Sequence, residues 1–210
     1  MAQYIDAGRI ITAGSIGRTL LSDNLNLQHT QFAQRTLRPF SIDLFEGMTH
    51  DAIRTQLPAA GATDDLGYIP GTFGTSSPTI QTGDLASAGS TTRKARFRTR
   101  LPHEYEDGET VQIRVYAGMD TNIADTAATV DIVCYEDDGE GGISADLCTT
   151  AAQSANSATF ANLDFSITAT GLVAGSMLDF RIDFLVNDAA TGSDVIGVIG
   201  AVQLLCDCRG

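Results

Sequence analysis

Apolar and polar residues alternate along most of the chain after residue 93. In residues 94–101, the odd positions Ala95, Phe97 and Leu101 are apolar, whereas the even positions carry Lys or Arg. The same pattern recurs in four further segments: 111–119, 130–135, 161–168 and 178–186. A period of two turns one face to a core and the other to solvent, so each segment is predicted to be a half-buried β-strand.

A sixth segment, 195–208, is apolar on both faces. Simple alternation places Ile196, Val198, Val202 and Leu204 on one face, and Val195, Ile199, Ala201 and Leu205 on the other. One face can cover the core. The other needs cover from the N-terminal part of the chain or from a neighbouring subunit, and closed symmetric assembly is the usual outcome.

Turn signals rich in Gly and Asp separate these segments, among them "EDDGEGG", "ATGLVAGS" and "NDAATGSD". Six or more strands with one apolar face each need a second sheet to cover that face. The sequence therefore predicts an all-β fold, an antiparallel two-sheet β-sandwich that is jelly-roll-like.

The first part of the chain has a different character. We assign residues 1–60 to an N-terminal arm, partly extended, and residues 61–210 to the sandwich domain. The stretch 58–92 is rich in Gly, Ser, Thr and Pro, which predicts a loop with one short strand around residues 68–73.

Two elements are predicted within the arm. Residues 22–37 are predicted to form a short helix, with Ser22 as its N-cap and with Leu25 and Phe32 on one face. In "RPFSIDLFE", Phe40, Ile42 and Leu44 alternate with polar residues, which predicts a strand. Pro39 has no amide hydrogen to donate to a ladder and therefore favours an edge position.

The net charge of -13 is unevenly distributed. Residues 1–60 are neutral, whereas residues 61–210 hold 8 basic and 21 acidic groups. So acidic a domain is repelled by nucleic-acid phosphates and by anionic membranes, and we expect neither as a partner. No signal peptide or apolar run of membrane-spanning length is visible, so we expect release into a cytoplasm with reduced cysteines.

The basic residues of the acidic domain are concentrated in one strand. Five of the chain's 13 basic residues fall within residues 93–100, and Arg96, Arg98 and Arg100 point away from the predicted core. We favour ion pairs with aspartates on the outward side of other strands, each pair worth ~0.2–1 kcal/mol. The candidate aspartates are Asp131, Asp164, Asp179 and Asp183. The alternative is that this Arg row is a docking face for an anion or an acidic partner.

No catalytic constellation is apparent. In "AGSIG", Ala13 stands where a nucleophile elbow has its first Gly, and none of the three His lies in a motif with a nucleophile. Phosphate-binding and dinucleotide-binding fingerprints are absent from the sequence. We therefore predict that the protein is not an enzyme and needs no cofactor. An enzyme such as a two-carboxylate hydrolase is the weakest alternative, because the chain has 26 acidic residues but nothing selects a pair of them.

Two weak metal candidates exist. Glu136, Asp138 and Glu140 in "YEDDGEGG" could offer oxygens to Ca²⁺, but they lack the order of an EF-hand, and we favour a solvated hairpin turn, because Gly and Asp are ordinary turn residues. The four cysteines could in principle bind zinc, but no C-x-x-C spacing exists. We expect Cys134, Cys148, Cys206 and Cys208 to be buried free thiols.

Residues ~66–208 resemble a group of uncharacterised virion proteins of tailed bacteriophages. The similarity lies in "ARFRTRLPHEYEDGETVQIRVYAGM", "ATVDIVCYEDDGEGGISADLCTTAAQS" and "TGLVAGSMLDFRIDFLVNDAATG", with "GYIPGTFGTSSPTI" before them. The resemblance implies a virion structural protein, made in the host cytoplasm, most plausibly a capsid decoration or cement protein. It supplies no catalytic chemistry.

This resemblance implies a partner and an assembly state. The partner would be the major capsid protein or another shell protein, and by analogy with other shell-binding proteins we expect a homo-oligomer, with a trimer favoured. The N-terminal arm would make the contact through scattered anchors: Leu20, Leu21, Leu25, Phe32, Arg35, Arg38 and Phe40.

Other functions stay open at this point. A jelly-roll major capsid protein would also assemble by arms, but it is expected to carry a basic segment for the genome, and residues 1–60 sum to zero charge. A receptor-binding or adhesin tip module is a further alternative. The absence of Trp and the scattered Tyr count mildly against a sugar-binding surface.

Overall fold

Ten β-strands and one 3₁₀ helix form in the part of the chain that the computed structural model describes, which comprises residues 36–51, 55–85, 89–189 and 194–209. The strands are β1 Thr36–Ile42, β2 Gly67–Ile69, β3 Thr79–Gln81, β4 Gly89–Arg100, β5 Val111–Met119, β6 Ala127–Asp137, β7 Gln153–Ser154, β8 Ala161–Ile167, β9 Met177–Asp188 and β10 Gly197–Cys208. The 3₁₀ helix, Leu44–Glu46, begins after Asp43, whose side chain accepts a hydrogen bond from the Phe45 amide.

The five alternating segments are confirmed as strands, namely β4, β5, β6, β8 and β9. Burial alternates along them as predicted, most regularly in β6 and β9. The strands extend beyond the predicted ranges at several ends, because backbone pairing continues after the apolar pattern has stopped.

The strands form two antiparallel sheets. Sheet A has the order β2-β3-β10-β5-β8, with β1 also paired to β10, and sheet B has the order β4-β9-β6-β7. From β3 to β10 the chain passes repeatedly between the sheets, as in a jelly roll. The predicted fold class, an antiparallel two-sheet β-sandwich, is confirmed.

The core lies between the inward faces of the two sheets. Ile113 and Val115 of β5 come from sheet A and are fully buried, as are Phe180 and Ile182 of β9 from sheet B. Phe97 lies opposite Phe180 on the same sheet, and their rings stack with centroids 5.5 Å apart. Burial of each such side chain contributes about 1.5–3 kcal/mol, which is the main stabilisation of the sandwich.

Strand β10 departs from the predicted alternation. Its register with β5 shifts between Ile199 and Ala201, which is the signature of a β-bulge at Gly200. The extra residue resets the phase, so Ile199 and Val202 both belong to the core cluster. The assignment of Ile199 to the face opposite Val202 was therefore wrong.

The outward positions of β10 are nevertheless covered within the chain. Val198 and Leu205 lie outside the core cluster, yet they are only 4% and 3% exposed. Their burial in the single chain removes the need for a neighbouring subunit at these two positions. The homo-oligomer, which was inferred from this strand, stays a prediction.

The predicted loop over 58–92 was wrong in part. Strand β2 overlaps the start of the region where one short strand was predicted, but β3 and the first residues of β4 also lie in this stretch. The three residues of β3 carry too little pattern to be detected. Its strand conformation comes from pairing with β2 and β10, which are distant in sequence.

The N-terminal arm is only partly described. Residues 1–35 lie outside the described residues, and with them most of the predicted helix over 22–37; its last two residues, Thr36 and Leu37, begin β1. Strand β1 pairs with β10 along its whole length. The described residues from Thr36 to Arg209 belong to one compact unit, so the boundary that was predicted at residue 60 lies inside it. Local composition could not predict this boundary correctly, because β1 belongs to the sandwich only through its pairing with β10, the last strand of the chain.

Strand β1 is an edge strand in the described part of the chain, as the proline predicted. Among the described residues, no helix is long and apolar enough to cross a membrane.

Candidate functional site

The Arg row lies on the outward face of sheet B. Strand β9 runs between β4 and β6, and its outward residues Asp179, Arg181 and Asp183 form the central column of that face. In register, Arg98 lies opposite Asp179 and Lys94 lies opposite Asp183. Charges of opposite sign thus meet across strands β4 and β9, as the ion-pair hypothesis requires.

Asp179 is the centre of this face. Its side chain is only 8% exposed, and the guanidinium of Arg96 donates from Nε to Oδ1 at 2.7 Å and from Nη2 to Oδ2. Arg98 approaches the same carboxylate with Nε 3.7 Å from Oδ2, and it also binds Asp137 through Nη2. Hydrogen bonding to Asp179 raises the pKa of Arg96. The two arginines are thus committed to partners within sheet B.

Two further pairs are bidentate, with two parallel hydrogen bonds each. Arg181 binds Asp183 along β9, with N–O distances of 2.6 and 2.9 Å. Arg114 binds Asp164 at 2.6 and 2.8 Å, and these hydrogen bonds hold the pKa of Asp164 below its usual range. The predicted pairing of Asp164 with the Arg row was therefore wrong, because β8 belongs to sheet A and β4 to sheet B.

Arg100 is the member of the row that keeps its charge exposed. Its Nη1 donates to the carbonyl oxygen of Gly175 at 3.1 Å, at the surface. Surface depressions of about 350 and 390 Å³ lie beside Arg98 and Arg100. Ser176 in the larger one donates to a Glu136 oxygen at 2.7 Å, and the described residues that line the two depressions include no His or Cys.

The acidic loop is a hydrogen-bonded turn. Asp138 Oδ1 accepts from the amides of Glu140 and Gly142 at 2.8 and 2.9 Å, and the carboxylate of Asp137 accepts from Gly139. Glu136 instead binds Ser176. The three candidate Ca²⁺ ligands Glu136, Asp138 and Glu140 are not brought together, since no metal-ligand cluster that includes them occurs among the described residues.

The cysteines are free thiols. Cys206 and Cys208 are neighbours on the inward face of β10, with their sulfurs 3.8 Å apart, whereas Cys134 lies on β6 in the other sheet. Burial raises the pKa of Cys134 and raises that of Cys206 to about 12. The four sulfurs do not form a zinc site among the described residues.

The predicted partner contacts fall mostly on the undescribed segment. Leu20, Leu21, Leu25, Phe32 and Arg35 lie outside the described residues. Arg38 is exposed on β1, whereas Phe40 is half-buried and packs against the core. Leu37, on the same strand, is 41% exposed.

The structure also assembles a cluster that the sequence did not indicate. The side chains of His50, Asp51, Asp64 and Asp65 lie close together beside the outer edge of β4. No motif joins the two short segments that carry them. His50 and Asp51 are adjacent, but Asp64 and Asp65 lie 14 and 15 residues after His50, so no recognised metal-ligand spacing marks the cluster in the sequence.

No protein-family model matches the chain, and no match is found among curated proteins. Solved structures give remote similarities. The xylan-binding module CBM15 is 14% identical at a TM-score of 0.46, covering 83% of this chain and 100% of that one. The CBM22-1 xylan-binding domain from Paenibacillus barcinonensis Xyn10C is 16% identical at a TM-score of 0.39, covering 84% and 97%.

A viral structure is also similar at this level. The structure of infectious bursal disease virus Gt strain is 10% identical at a TM-score of 0.33, covering 82% of this chain and 43% of that one. At these scores and identities the similarities carry no conclusion about function.

Proposed function

We propose that the chain is a non-enzymatic virion structural protein that decorates the outside of a bacteriophage shell, attached through its N-terminal segment and β1. The sequence resemblance over residues ~66–208 supports the virion role. The observation that supports this attachment site is the exposure of β1, the edge strand that follows the N-terminal segment.

Strand β1 is well anchored but poorly covered. It is paired with β10 over seven residue pairs, from Thr36 with Cys208 to Ile42 with Val202. Nevertheless, residues 36–39 and Ser41 are exposed, and Leu37 keeps 41% of its surface. An exposed edge strand offers backbone groups and alternate side chains to a protein partner. Such an edge, preceded by a segment with spaced apolar residues, is suited to binding a shell protein.

The Arg row is less suited to docking. Arg96 and Arg98 already bind Asp179 and Asp137, and the domain that carries them holds the entire net charge of -13. An acidic partner would therefore meet neutralised arginines in an acidic surrounding. This favours the N-terminal segment and β1 over sheet B as the attachment site.

The test measures co-sedimentation with shells that have been assembled without this protein. We expect the full chain to bind, and a chain that starts at Thr36 to stay folded but bind at least tenfold more weakly. Leu37→Asp should also weaken binding. The matched control is Ile123→Asp, since Ile123 is similarly exposed, at 53%, in the loop between β5 and β6, at the opposite end of β10 from the partner of Leu37. Binding that is unchanged in both the truncated chain and Leu37→Asp would rule out this attachment site.

Assembly state can be measured on the same preparations. If the predicted trimer forms, sedimentation equilibrium of the full chain at micromolar concentration gives three times the chain mass. A strict monomer would remove the oligomer from the proposal without affecting the attachment test.

A receptor-binding module is the second candidate, favoured by one surface feature. On the outward face of sheet A, the ring of Tyr116, 41% exposed, lies with its centroid 5.5 Å from that of Phe160. A Cβ on Gly118 would lie 2.5 Å from the Phe160 ring, so the glycine permits this ring position. An exposed tyrosine ring backed by the half-buried ring of Phe160 suits the apolar face of a sugar, and a glycan array with Tyr116→Ala as control tests this candidate.

A further inference from the structure

The cluster around His50 has the geometry of a metal centre. The imidazole side chain is only 9% exposed, and Nδ1 lies 3.1 Å from Asp65 Oδ1. On the other side of the ring, Nε2 faces Asp64 Oδ2 at 3.5 Å. The ligand atoms of His50, Asp51 and Asp64 all lie within 4.8 Å of one another.

The two ring nitrogens play different parts. A hydrogen bond from Nδ1–H to a carboxylate fixes the tautomer and leaves the lone pair on Nε2, as in carboxylate–histidine–zinc arrangements. The separation of 3.5 Å between Nε2 and Asp64 Oδ2 is longer than a normal N–H···O hydrogen bond. By contrast, two atoms that each lie about 2.1 Å from a tetrahedral metal are separated by roughly 3.4 Å.

The ring nitrogen Nε2 of His50 is the one left for a ligand. The His50 side chain as a whole is nine-tenths buried, beside the carboxylates of Asp64 and Asp65. In the part of the chain that the structure describes, the hydrogen bond of this ring is made by Nδ1. Nε2 faces Asp64 Oδ2, and a cation placed between them would be shared by the imidazole and the carboxylates of Asp51 and Asp64.

The backbone holds the ligands at a fixed spacing. Met48, next to the His50 segment, exchanges two hydrogen bonds of 2.9 Å with Arg96 of β4. The carbonyl oxygen of Asp64 accepts from the Lys94 amide at 2.8 Å, and the Leu66 amide donates to the Lys94 carbonyl at 2.8 Å. Both segments therefore dock on the same edge of β4, which presets the ligands before any cation arrives.

We propose that His50 Nε2, Asp51 and Asp64 bind a divalent transition cation of the Zn²⁺ class, with Asp65 orienting the imidazole. One imidazole and two carboxylates are ligands that Zn²⁺ accepts, and three protein ligands leave a fourth position for water. The cation would clamp the segments 48–51 and 64–66 to the edge of sheet B.

The test uses the full chain, stripped with a chelator and titrated with ZnCl₂ by calorimetry. We expect one equivalent to bind, and binding to be lost in His50→Ala and weakened at least tenfold in Asp51→Asn. Asp51 is exposed, so this variant keeps the test valid even if His50→Ala fails to fold. Asp65→Asn should weaken binding by about 10–100-fold, as is usual for the carboxylate behind a ligating histidine.

Matched controls and a spectroscopic reading separate this site from the others. His103→Ala and Asp138→Asn alter exposed residues outside the cluster and should keep the full stoichiometry. Binding of Co²⁺ should give no thiolate charge-transfer band, which distinguishes the site from the cysteines. The proposal is overturned if the wild type binds no zinc, if Asp51→Asn and His50→Ala bind normally, or if the spectrum shows thiolate ligation.

Discussion

Removing the guanidinium of Arg96 should destabilise the sandwich far more than removing that of Arg100, although both belong to the same row. Arg96 makes two charge-assisted hydrogen bonds to Asp179, whose side chain is 8% exposed. Arg100 makes one bond, at the surface, to a carbonyl oxygen at 3.1 Å. The difference follows from the burial of the acceptor, not from the arginine itself.

The size of the effect follows from the contacts. Breaking a buried ion pair by removing one partner costs about 3–5 kcal/mol, because a buried charge is left uncompensated. Here Arg96 is 40% exposed and Arg98 stays 3.7 Å from the carboxylate, so solvent and the second arginine reduce that cost. We expect about 2–3 kcal/mol for Arg96→Ala, and no more than about 0.5–1 kcal/mol for Arg100→Ala.

The sequence alone predicted a smaller stabilisation for each ion pair. Outward pairs between strands were expected to contribute ~0.2–1 kcal/mol each, on the assumption that both partners are solvated. Asp179 does not meet that assumption, because it lies at the centre of sheet B between two strands that carry long side chains.

The measurement is urea unfolding followed by far-ultraviolet circular dichroism, since the chain has no Trp to report by fluorescence. A loss of 2–3 kcal/mol should lower the melting temperature by roughly 4–12 °C for a domain of this size. A double-mutant cycle of Arg96→Ala with Asp179→Ala should give a coupling energy above about 1 kcal/mol. If Arg96→Ala and Arg100→Ala agree within about 0.5 kcal/mol, the reasoning from burial fails.

Three further predictions concern the core and its titrating groups. Gly197→Ala should cost about 1–3 kcal/mol in urea unfolding, because a Cβ there would lie 2.4 Å from the buried ring of Phe184; a neutral substitution would contradict this packing. Burial raises the pKa of Tyr105 and of Cys206 to about 12, so the folded state keeps protons that the unfolded chain loses from about pH 8.5 upward. The free energy of unfolding should therefore fall between roughly pH 8.5 and 12. Urea unfolding midpoints that stay constant over this pH range would refute the prediction. Of the four thiols only Cys148 is partly exposed, so Ellman's reagent should modify about one thiol in the native protein and four in urea.

Much of the fold can be predicted from sequence because strand geometry is local. Successive side chains of a pleated strand point to opposite faces of the sheet. Phe97 and Phe180 can therefore be assigned to the core without knowledge of the partner strand. Arg96 and Asp179 can be assigned to the outward face in the same way. The apolar faces then require two layers. These predictions needed only the period of the pattern.

Tertiary structure decided everything that depends on pairing between distant segments. The bulge at Gly200 moves Ile199 into the core, and nothing in a run of apolar residues marks where the phase will change. The acidic partner of each arginine depends on the strand register and on the sheet to which each strand belongs. Asp164 therefore binds Arg114 of the neighbouring strand and not the Arg row. Strand β1 joins the sandwich because β10 offers it an edge, although its composition resembles that of an arm.

The His50 cluster shows the same limit most clearly. Its ligands come from two segments whose positions are fixed by docking on β4, and a distance of 3.5 Å between Nε2 and Asp64 Oδ2 exists only after both have docked. Sequence determines which side chains are available and which face of a strand they occupy. The long-range backbone pairing determines which of them meet, because hydrogen-bonded registers are set by the whole sheet and not by any single strand.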